Sequence, residues 1–543
     1  MPIPSRAVRL DALARDTFDV LVIGGGITGA GAARDAALRG LRVALVEQDD
    51  FASGTSSRSS RLIHGGVRYL EHGQLCLVFE SSRERRILLR IAPHLVRPLG
   101  FTWPVYAGSR VRRWQLAAAL TLYDALALFR NVRRHARFDA GGVHAQEPAL
   151  RRAGLRGGAR YFDAATDDAR LTLANARSAH DAGAVILNHA RVDAFAHHEG
   201  RVSGVRLRDM RTGAVVEVRA RVQVNATGPW SDVVTALAGP TAGATVRGSK
   251  GVHIAVPRAR IGNREAVTLL APQDGRVMFV LPAGDFAIIG TTDTYDDVSP
   301  ADVRASAVDV AYLLAAANHY FPDAVLRADD VISAWAGLRP LAAGTSGPAD
   351  PGSASREHAI HETMPGLITV TGGKLTTYRA MAAEVVDAVQ RSLGRPRSVA
   401  HTDVRALPGG AGCDRDAERA RAVQATGDAP VGARLVAAHG VEWSAVWSLV
   451  HDDASLSARV DPARPYVLAE LRYAVTDEMA DTLGDLLIRR IPLAFELRDN
   501  GRAAARRIAP RVAAWLGWDD ARLAREVADY DAEVARIFTV TPA

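Results

Sequence analysis

Cysteine and lysine are nearly absent from this chain. Only Cys76 and Cys413 occur in 543 residues, which excludes a disulfide framework and a thiolate metal centre and fits a reducing compartment. Lys250 and Lys374 are the only lysines among 67 lysine and arginine side chains. That bias reads as codon usage replacing lysine wherever arginine serves, so a surviving lysine marks a place that requires a compact ammonium. No apolar run approaches the ~18 residues of a spanning helix, and the opening MPIPSRAVRLDALARDTF has no apolar segment of the signal-peptide kind. The sequence therefore predicts a cytoplasmic protein.

With 48% hydrophobic and 23% charged residues the composition is that of a globular protein, which sets aside disordered and fibrous classes. The length corresponds to roughly three or four domain-sized units. A formal charge of +7 suits an anionic partner such as a membrane surface or a phosphorylated substrate, and requires no nucleic acid.

The chemistry starts at VIGGGITGAGAARDAA. FDVLVI, from Phe18, reads as an apolar strand, ITGAGAARDAALR as a helix, and LRVALV as a second strand, one βαβ unit. Gly24, Gly26 and Gly29 have the G-x-G-x-x-G spacing: the first makes the tight turn, the second admits a pyrophosphate and the third lets helix and strand pack closely. Ile27 and Thr28 open the helix whose N-terminus meets the phosphate charge. Glu47 ends the second strand, where an acidic side chain takes the ribose hydroxyls and repels a 2′-phosphate. NADP is thereby disfavoured. Ala226, Thr227 and Gly228 close a later strand in a small-residue turn, a second pass beside the cofactor typical of flavoproteins, which points to FAD.

SGTSSRSSRLIHGGVRYLEHGQ is dense in hydroxyls, glycines and cations. Thr55, Ser56, Ser57, Ser60 and Leu62, then His64, Gly65 and Gly66, are candidates to border a flavin, with Arg68 and Tyr69 projecting past it. A solvated Ser/Arg loop is the alternative reading of this segment. Two other segments repeat the pairing of small residues with cations: SKGVHIAVP holds Lys250 and His253, and TGGKLTTYR holds Gly373, Lys374, Leu375 and Thr376. Both lysines are there, and each is expected in a tight, shaped site. Arg339 and Arg356 are less specific as isolated cations, and GTTD at Gly290–Asp293 ends a strand without a sharper role.

Along the chain, DDARLTLANARSAHDAG reads as a helix, AVILNHARV as a strand, and the alternation up to NATG as a meander turning at Arg211-Thr212-Gly213. Residues 76–150 read as an Arg-rich, partly helical insertion. GLITVTGG reads as a last parallel strand, and beyond a Gly/Pro linker the chain is helical.

The segments LIHGGVRYLEHG, VNATGPW, KGVHIAVP, IIGTTD and GGKLTTYR resemble the signatures of the FAD-dependent, aerobic glycerol-3-phosphate dehydrogenases, in order from Phe18 to about Arg397. The resemblance implies an α/β fold: a Rossmann-type FAD-binding domain of the glycine-oxidase class (17–75, 146–245, 345–397), an inserted α+β substrate cap (76–145, 246–344) and a C-terminal helical domain (398–543). It also implies noncovalent FAD, sn-glycerol 3-phosphate as substrate, membrane quinone as electron acceptor, and homodimers peripheral to the inner face of the cell membrane. Arg68, Arg339 and Lys374 match residues around the substrate, with Tyr69, Thr376 and Arg356 beside them. His64 and His253 match motif histidines.

Oxidising a secondary alcohol takes a base for the hydroxyl proton and a hydride acceptor, here flavin N5. The base is His64, His253 or an arginine-activated water, and the sequence does not choose. Arginines suit a dianionic phosphate, and Lys374 suits negative charge on the reduced ring. Alternatives are an oxidase using oxygen, and a flavin amine or amino-acid oxidase on the same fold. Arg68, Arg339 and Lys374 are expected to converge on one pocket, each from the end of an element. SRVRRWQLAAALTLYDALALFRNVRRHAR (109–137), apolar with Trp114 and Tyr123 between flanking arginines, suits either an anionic membrane surface or a core helix of the cap with solvated ends.

Overall fold

The first strand is buried along its length from Phe18 to Ile23, with no polar face to turn to water, so it belongs inside a sheet covered on both sides. In the computed structural model β1 (Thr17–Ile23) pairs in parallel with β2 (Val43–Val46) and with Val215–Asn225. Helix α1 (Ile27–Leu38) joins β1 to β2. The structure describes residues 3–128, 130–239, 246–296, 298–342, 357–398 and 401–542, without the side chains of Arg68, Glu71, His72 and Ala342.

Parallel strands Leu367–Gly372 and Val185–Leu187 extend this sheet on either side, and an antiparallel meander, Ala190–His198 with Arg201–Asp209, runs into Val215–Asn225. GLITVTGG is thus a parallel strand, as read. AVILNHARV is not one strand but two, divided at His189, whose φ of 51° turns the chain. Helices Asp168–Asp181 and Tyr378–Ser392 pack on α1 and cover one face. The carboxyl ends of β1, β2 and Val215–Asn225 point the same way, where open parallel sheets bind ligands.

A second sheet of ten strands is antiparallel apart from the pairing of Ala266–Leu270 with Val96–Tyr106. Its centre is Val246–Pro257, flanked by Phe286–Gly290 and by Ser333–Ala342. Two of its strands were illegible in sequence: Val96–Tyr106, within the region read as helical insertion, and Leu155–Thr166, which pairs with it. The two-residue strand Leu62–Ile63 joins the same sheet. The hydroxyl-rich loop therefore crosses from one sheet to the other.

Beyond residue 400 the chain is helical, from Arg415–Thr426 to Asp520–Phe538. This unit is tied to the first sheet through buried charge. Asp50, with no exposed surface, accepts from Arg489 Nε at 2.7 Å, from Arg490 Nη1 at 2.6 Å and from Asn188 at 3.0 Å. Asp485, also fully buried, is bonded by His189 at 2.9 Å and Arg489 at 2.8 Å.

Candidate functional site

The β1–α1 turn is shaped by close approach. Gly24 has φ 106°, and a Cβ there would lie 2.7 Å from the Ala226 carbonyl oxygen. A Cβ on Gly29 would lie 1.9 Å from the Gly24 oxygen. No larger residue packs at either place. No side chain at the Gly26 N-cap closes the helix; instead Ser56 Oγ accepts from Ile27 N–H at 3.0 Å. Glu47 accepts from Gly25 N–H at 2.6 Å and Asp49 N–H at 2.9 Å. Burial pushes its carboxyl up to about 7.

A cleft runs from this turn along the junction of the two sheets. Gly24, Gly26, Ile27, Thr28 and Glu47 line one end, and Thr55, Ser56, Ser60, Leu62 and His64 one wall. Ala226, Thr227 and Gly228 face Gly373, Lys374, Leu375 and Thr376 across it. A glycine turn, a helix N-terminus and a carboxylate at the strand end are the cradle a dinucleotide requires. Gly29, Ser57, Gly65 and Gly66 do not line it; they stand behind the wall. The Ser57 hydroxyl turns to Gly54 O at 3.5 Å, and Gly66 borders a smaller cavity.

That smaller cavity, of about 80 Å³, opens beside the inner end of the cleft. Ser60, Leu62, His64 and Arg339 border both spaces, and Phe101, Trp103, Tyr161 and Phe279 form its apolar wall. Arg339 Nη1 donates to Asp293 Oδ1 at 2.9 Å and Nη2 to Thr291 Oγ1 at 2.9 Å. This holds the guanidinium edge in place. GTTD thus has the role that sequence reasoning lacked: it orients Arg339. The pairing of Ser249 with Arg339 brings these segments together, and Gly251 is needed because a Cβ there would meet Arg339 Nη2 at 2.3 Å. Contrary to expectation, Arg339 lies within the strand Ser333–Ala342 and not at its end.

Lys374 Nζ stands 3.6 Å from the centroid of the Tyr69 ring, and that ring is stacked on His64 at 6.4 Å. Thr376 Oγ1 accepts from His64 N–H at 3.1 Å, so the glycine-lysine turn supports the histidine loop. His253 is buried, its Nε2 2.9 Å from Ser60 Oγ and its ring 5.6 Å from that of Trp335. Burial, and then the charges of Arg339 and Arg61, hold this imidazole down to about 3. This favours its neutral form. Lys250 is not part of either wall; it pairs with Asp309 at 3.2 Å and Asp296 at 3.4 Å. The Arg68 side chain and all of Arg356 lie outside the described residues.

Behind the histidine loop a buried group locks it. Gly65 N–H donates to Asp163 Oδ1 at 3.0 Å, Tyr123 Oη donates to the same oxygen at 2.6 Å, and Arg85 pairs with Asp163 and Tyr123. Tyr123 lies on the helix Arg113–Leu126 with 1% exposure, so it faces the core and not the outside as an interfacial aromatic would. Trp114 on the same helix is 66% exposed. Leu75, Phe79, Leu122, Leu128 and Val132 are exposed in the same region. Among the described residues no helix is long and apolar enough to cross a membrane.

Comparison with known proteins gives two family matches: residues 19–386 match the FAD-dependent oxidoreductase family, and residues 400–523 the C-terminal domain of alpha-glycerophosphate oxidase. Glycerol-3-phosphate dehydrogenase 2 of Mycobacterium bovis is 42% identical over 538 residues, covering 97% of this chain and 90% of that protein. The aerobic glycerol-3-phosphate dehydrogenase of Staphylococcus haemolyticus is 35% identical over 90% of this chain and 88% of its own. Among solved structures, the FAD complex of the glycerol-3-phosphate dehydrogenase from Bacillus halodurans superposes with a TM-score of 0.81 at 32% identity, covering 98% of this chain and 97% of that one. Glycine oxidase from Geobacillus kaustophilus, at 21% identity and TM-score 0.52, shares the fold over 72% of this chain and 98% of its own.

Proposed function

As the chain belongs to the FAD-dependent glycerol-3-phosphate dehydrogenases, we propose that it oxidises the secondary alcohol of sn-glycerol 3-phosphate to dihydroxyacetone phosphate. FAD, when bound, supplies the acceptor for the hydrogen and electron pair that leave C2. The remaining work falls to side chains. The β1–α1 turn and Glu47 hold the pyrophosphate and ribose, and the residues from Thr55 to Leu62, with Ala226–Gly228 and Gly373–Thr376, enclose the ring system. Arg339 binds the substrate phosphate, since a guanidinium with fixed orientation suits a dianion. Arg68, Tyr69 and Arg356 complete that group on the strength of their motifs.

Proton acceptance from the C2 hydroxyl we assign to His64. His64 borders both the cleft and the small cavity, whereas His253 lines the cleft alone and burial holds its imidazole down to about 3. His253 then orients Ser60 at the cavity mouth. Lys374 fixes Tyr69 and opposes negative charge that develops at the ring. The observation that carries this reading is that Arg339 and His64 border both the dinucleotide cleft and the small cavity at its inner end.

Electrons pass on to membrane quinone, with the protein acting as a homodimer docked on the inner face of the cell membrane. Supporting this are the exposed Trp114, Leu122 and Leu128, set between Arg110, Arg112 and Arg113 on one side and Arg130, Arg133 and Arg134 on the other. A second reading, oxygen as acceptor, is favoured by the oxidase-type match of residues 400–523. Anaerobic addition of glycerol 3-phosphate to the purified holoenzyme is expected to bleach its flavin. In air, quinone turnover without peroxide supports the first acceptor and stoichiometric peroxide the second. Persistent flavin colour overturns both.

A further inference from the structure

Arg58 sits in the hydroxyl-rich loop, 5% exposed, and lines the dinucleotide cleft. Its one side-chain hydrogen bond among those described runs from Nη2 to the Ser53 carbonyl at 3.2 Å. No carboxylate of the described residues comes within ion-pairing distance of its guanidinium. Several buried arginines are answered by a carboxylate, Arg39 by Asp35 at 2.6 Å, Arg170 by Glu478 at 2.7 Å, and Arg489 and Arg490 by Asp50, whereas Arg9 and Arg34 are held by carbonyl and hydroxyl oxygens away from the cleft; Arg58 differs from these in lining the cleft. A buried cation that no carboxylate contacts is costly; Glu533 and Asp49 act on Arg58 only through space, against the like charges of Arg536 and Arg489. Burial already draws this guanidinium down to about 10.

The loop gives Arg58 little freedom to leave. A Cβ on Gly337 would lie 2.7 Å from the Arg58 carbonyl oxygen, so its backbone is pressed against the strand Ser333–Ala342. Two residues earlier, Ser56 reaches the first amide of α1, which places the loop across the helix N-terminus. The cleft that Arg58 faces is thus the space into which that N-terminus opens.

We infer that Arg58 is a ligand to the anionic pyrophosphate of the bound dinucleotide, a charge-assisted clamp opposite the glycine turn. Here the glycine turn supplies backbone donors and the helix end, and Arg58 the compensating full charge. The inference rests on FAD being the cofactor. It goes beyond the reading above in naming a cation that no part of the dinucleotide motif requires.

Release of FAD from purified holoenzyme, followed by the rise of flavin fluorescence after dilution, tests it. A wild-type protein that carries no FAD would overturn the functional reading, separately from the role of Arg58. With FAD present, Arg58→Ala is expected to weaken retention about 10- to 100-fold, with Arg58→Lys between it and wild type and the gap narrowing at high salt. ADP is expected to compete with rebinding less well in Arg58→Ala, while adenosine competes as before. Retention within about twofold of wild type overturns the clamp. Equal weakening of ADP and adenosine also overturns it, by assigning Arg58 to the base instead of the phosphates. Should the alanine variant fail to accumulate, Arg58→Gln against Arg58→Lys makes the same decision, because both keep a polar side chain of similar size and only the lysine keeps the charge.

Discussion

Lys374 lies over the face of Tyr69, its ammonium 3.6 Å from the ring centroid. A wide guanidinium does not occupy that position as a point charge does. Lys374→Arg is expected to slow flavin reduction by about tenfold or more, in line with the ~1–2 kcal/mol of a desolvated cation over a ring. Tyr69→Phe keeps the face and is expected to stay near wild type. Anaerobic stopped-flow bleaching separates the two; a Lys374→Arg enzyme as fast as wild type removes Lys374 from the site.

Arg339 owes its orientation to Asp293 and Thr291. Arg339→Ala is expected to raise KM for glycerol 3-phosphate by about 100-fold, the ~3 kcal/mol of a charged hydrogen-bond pair, while glycerol stays equally poor for both enzymes. Asp293→Asn leaves the cation but loosens it, with an expected KM increase of about tenfold and little change in kcat. Steady-state kinetics with both substrates decides. Equal loss with glycerol and glycerol 3-phosphate would show that Arg339 serves structure instead.

His253 couples stability to acid. Its folded value of about 3 is below the ordinary 6.5, so below pH ~6.5 the unfolded chain binds the extra proton and the folded chain does not. The favourable contribution is full above pH ~6.5 and declines as pH falls toward 3. His253→Asn is expected to lose less stability than wild type between pH 7.5 and 5, by about 1–2 kcal/mol. Thermal melts at the two pH values measure it. Identical acid slopes would mean that His253 is not held neutral.

Glu47 presents its carboxylate between two backbone amides at the strand end. Glu47→Gln is expected to keep the fold and weaken FAD binding by about 1–3 kcal/mol, read from FAD titration. Unchanged affinity would reassign the ribose contact.

Six arginines flank the exposed face around Trp114: Arg110, Arg112, Arg113, Arg130, Arg133 and Arg134. Replacing all six by Gln is expected to abolish flotation with anionic liposomes, each charge near a surface contributing about 1 kcal/mol. Equal flotation before and after points to another contact surface.

Local pattern made the dinucleotide unit legible. FDVLVI is continuously apolar because β1 is covered on both faces, and the glycines after it report contacts within one βαβ unit. Arg339 and Lys374 were found through motif company. Their partners were not, because Asp293 meets Arg339 only through the long-range register of Val246–Pro257 with Ser333–Ala342. The strand Val96–Tyr106 hid in the proline- and glycine-broken VRPLGFTWPVY, whose order comes from pairing with Leu155–Thr166. His189 broke a strand for a reason its neighbours do not carry: its ring is held by Asp485 from the helical unit. Tyr123 reads as part of an apolar stripe, and only the fold turns its hydroxyl to Asp163.

The grip of Arg489 and Arg490 on Asp50 bears on how such a chain can be shortened. Asp50 follows Glu47 by three residues, and both cations that neutralise it arrive from the far C-terminal region. A recombination event that deletes that region removes both guanidinium partners of Asp50 and leaves it the Asn188 amide and the neighbouring His189 imidazole, a loss of up to about 3–5 kcal/mol where the carboxylate stays covered. Loss of the helical unit therefore favours replacement of Asp50, and position 50 becomes a place to compare descendants with and without that unit.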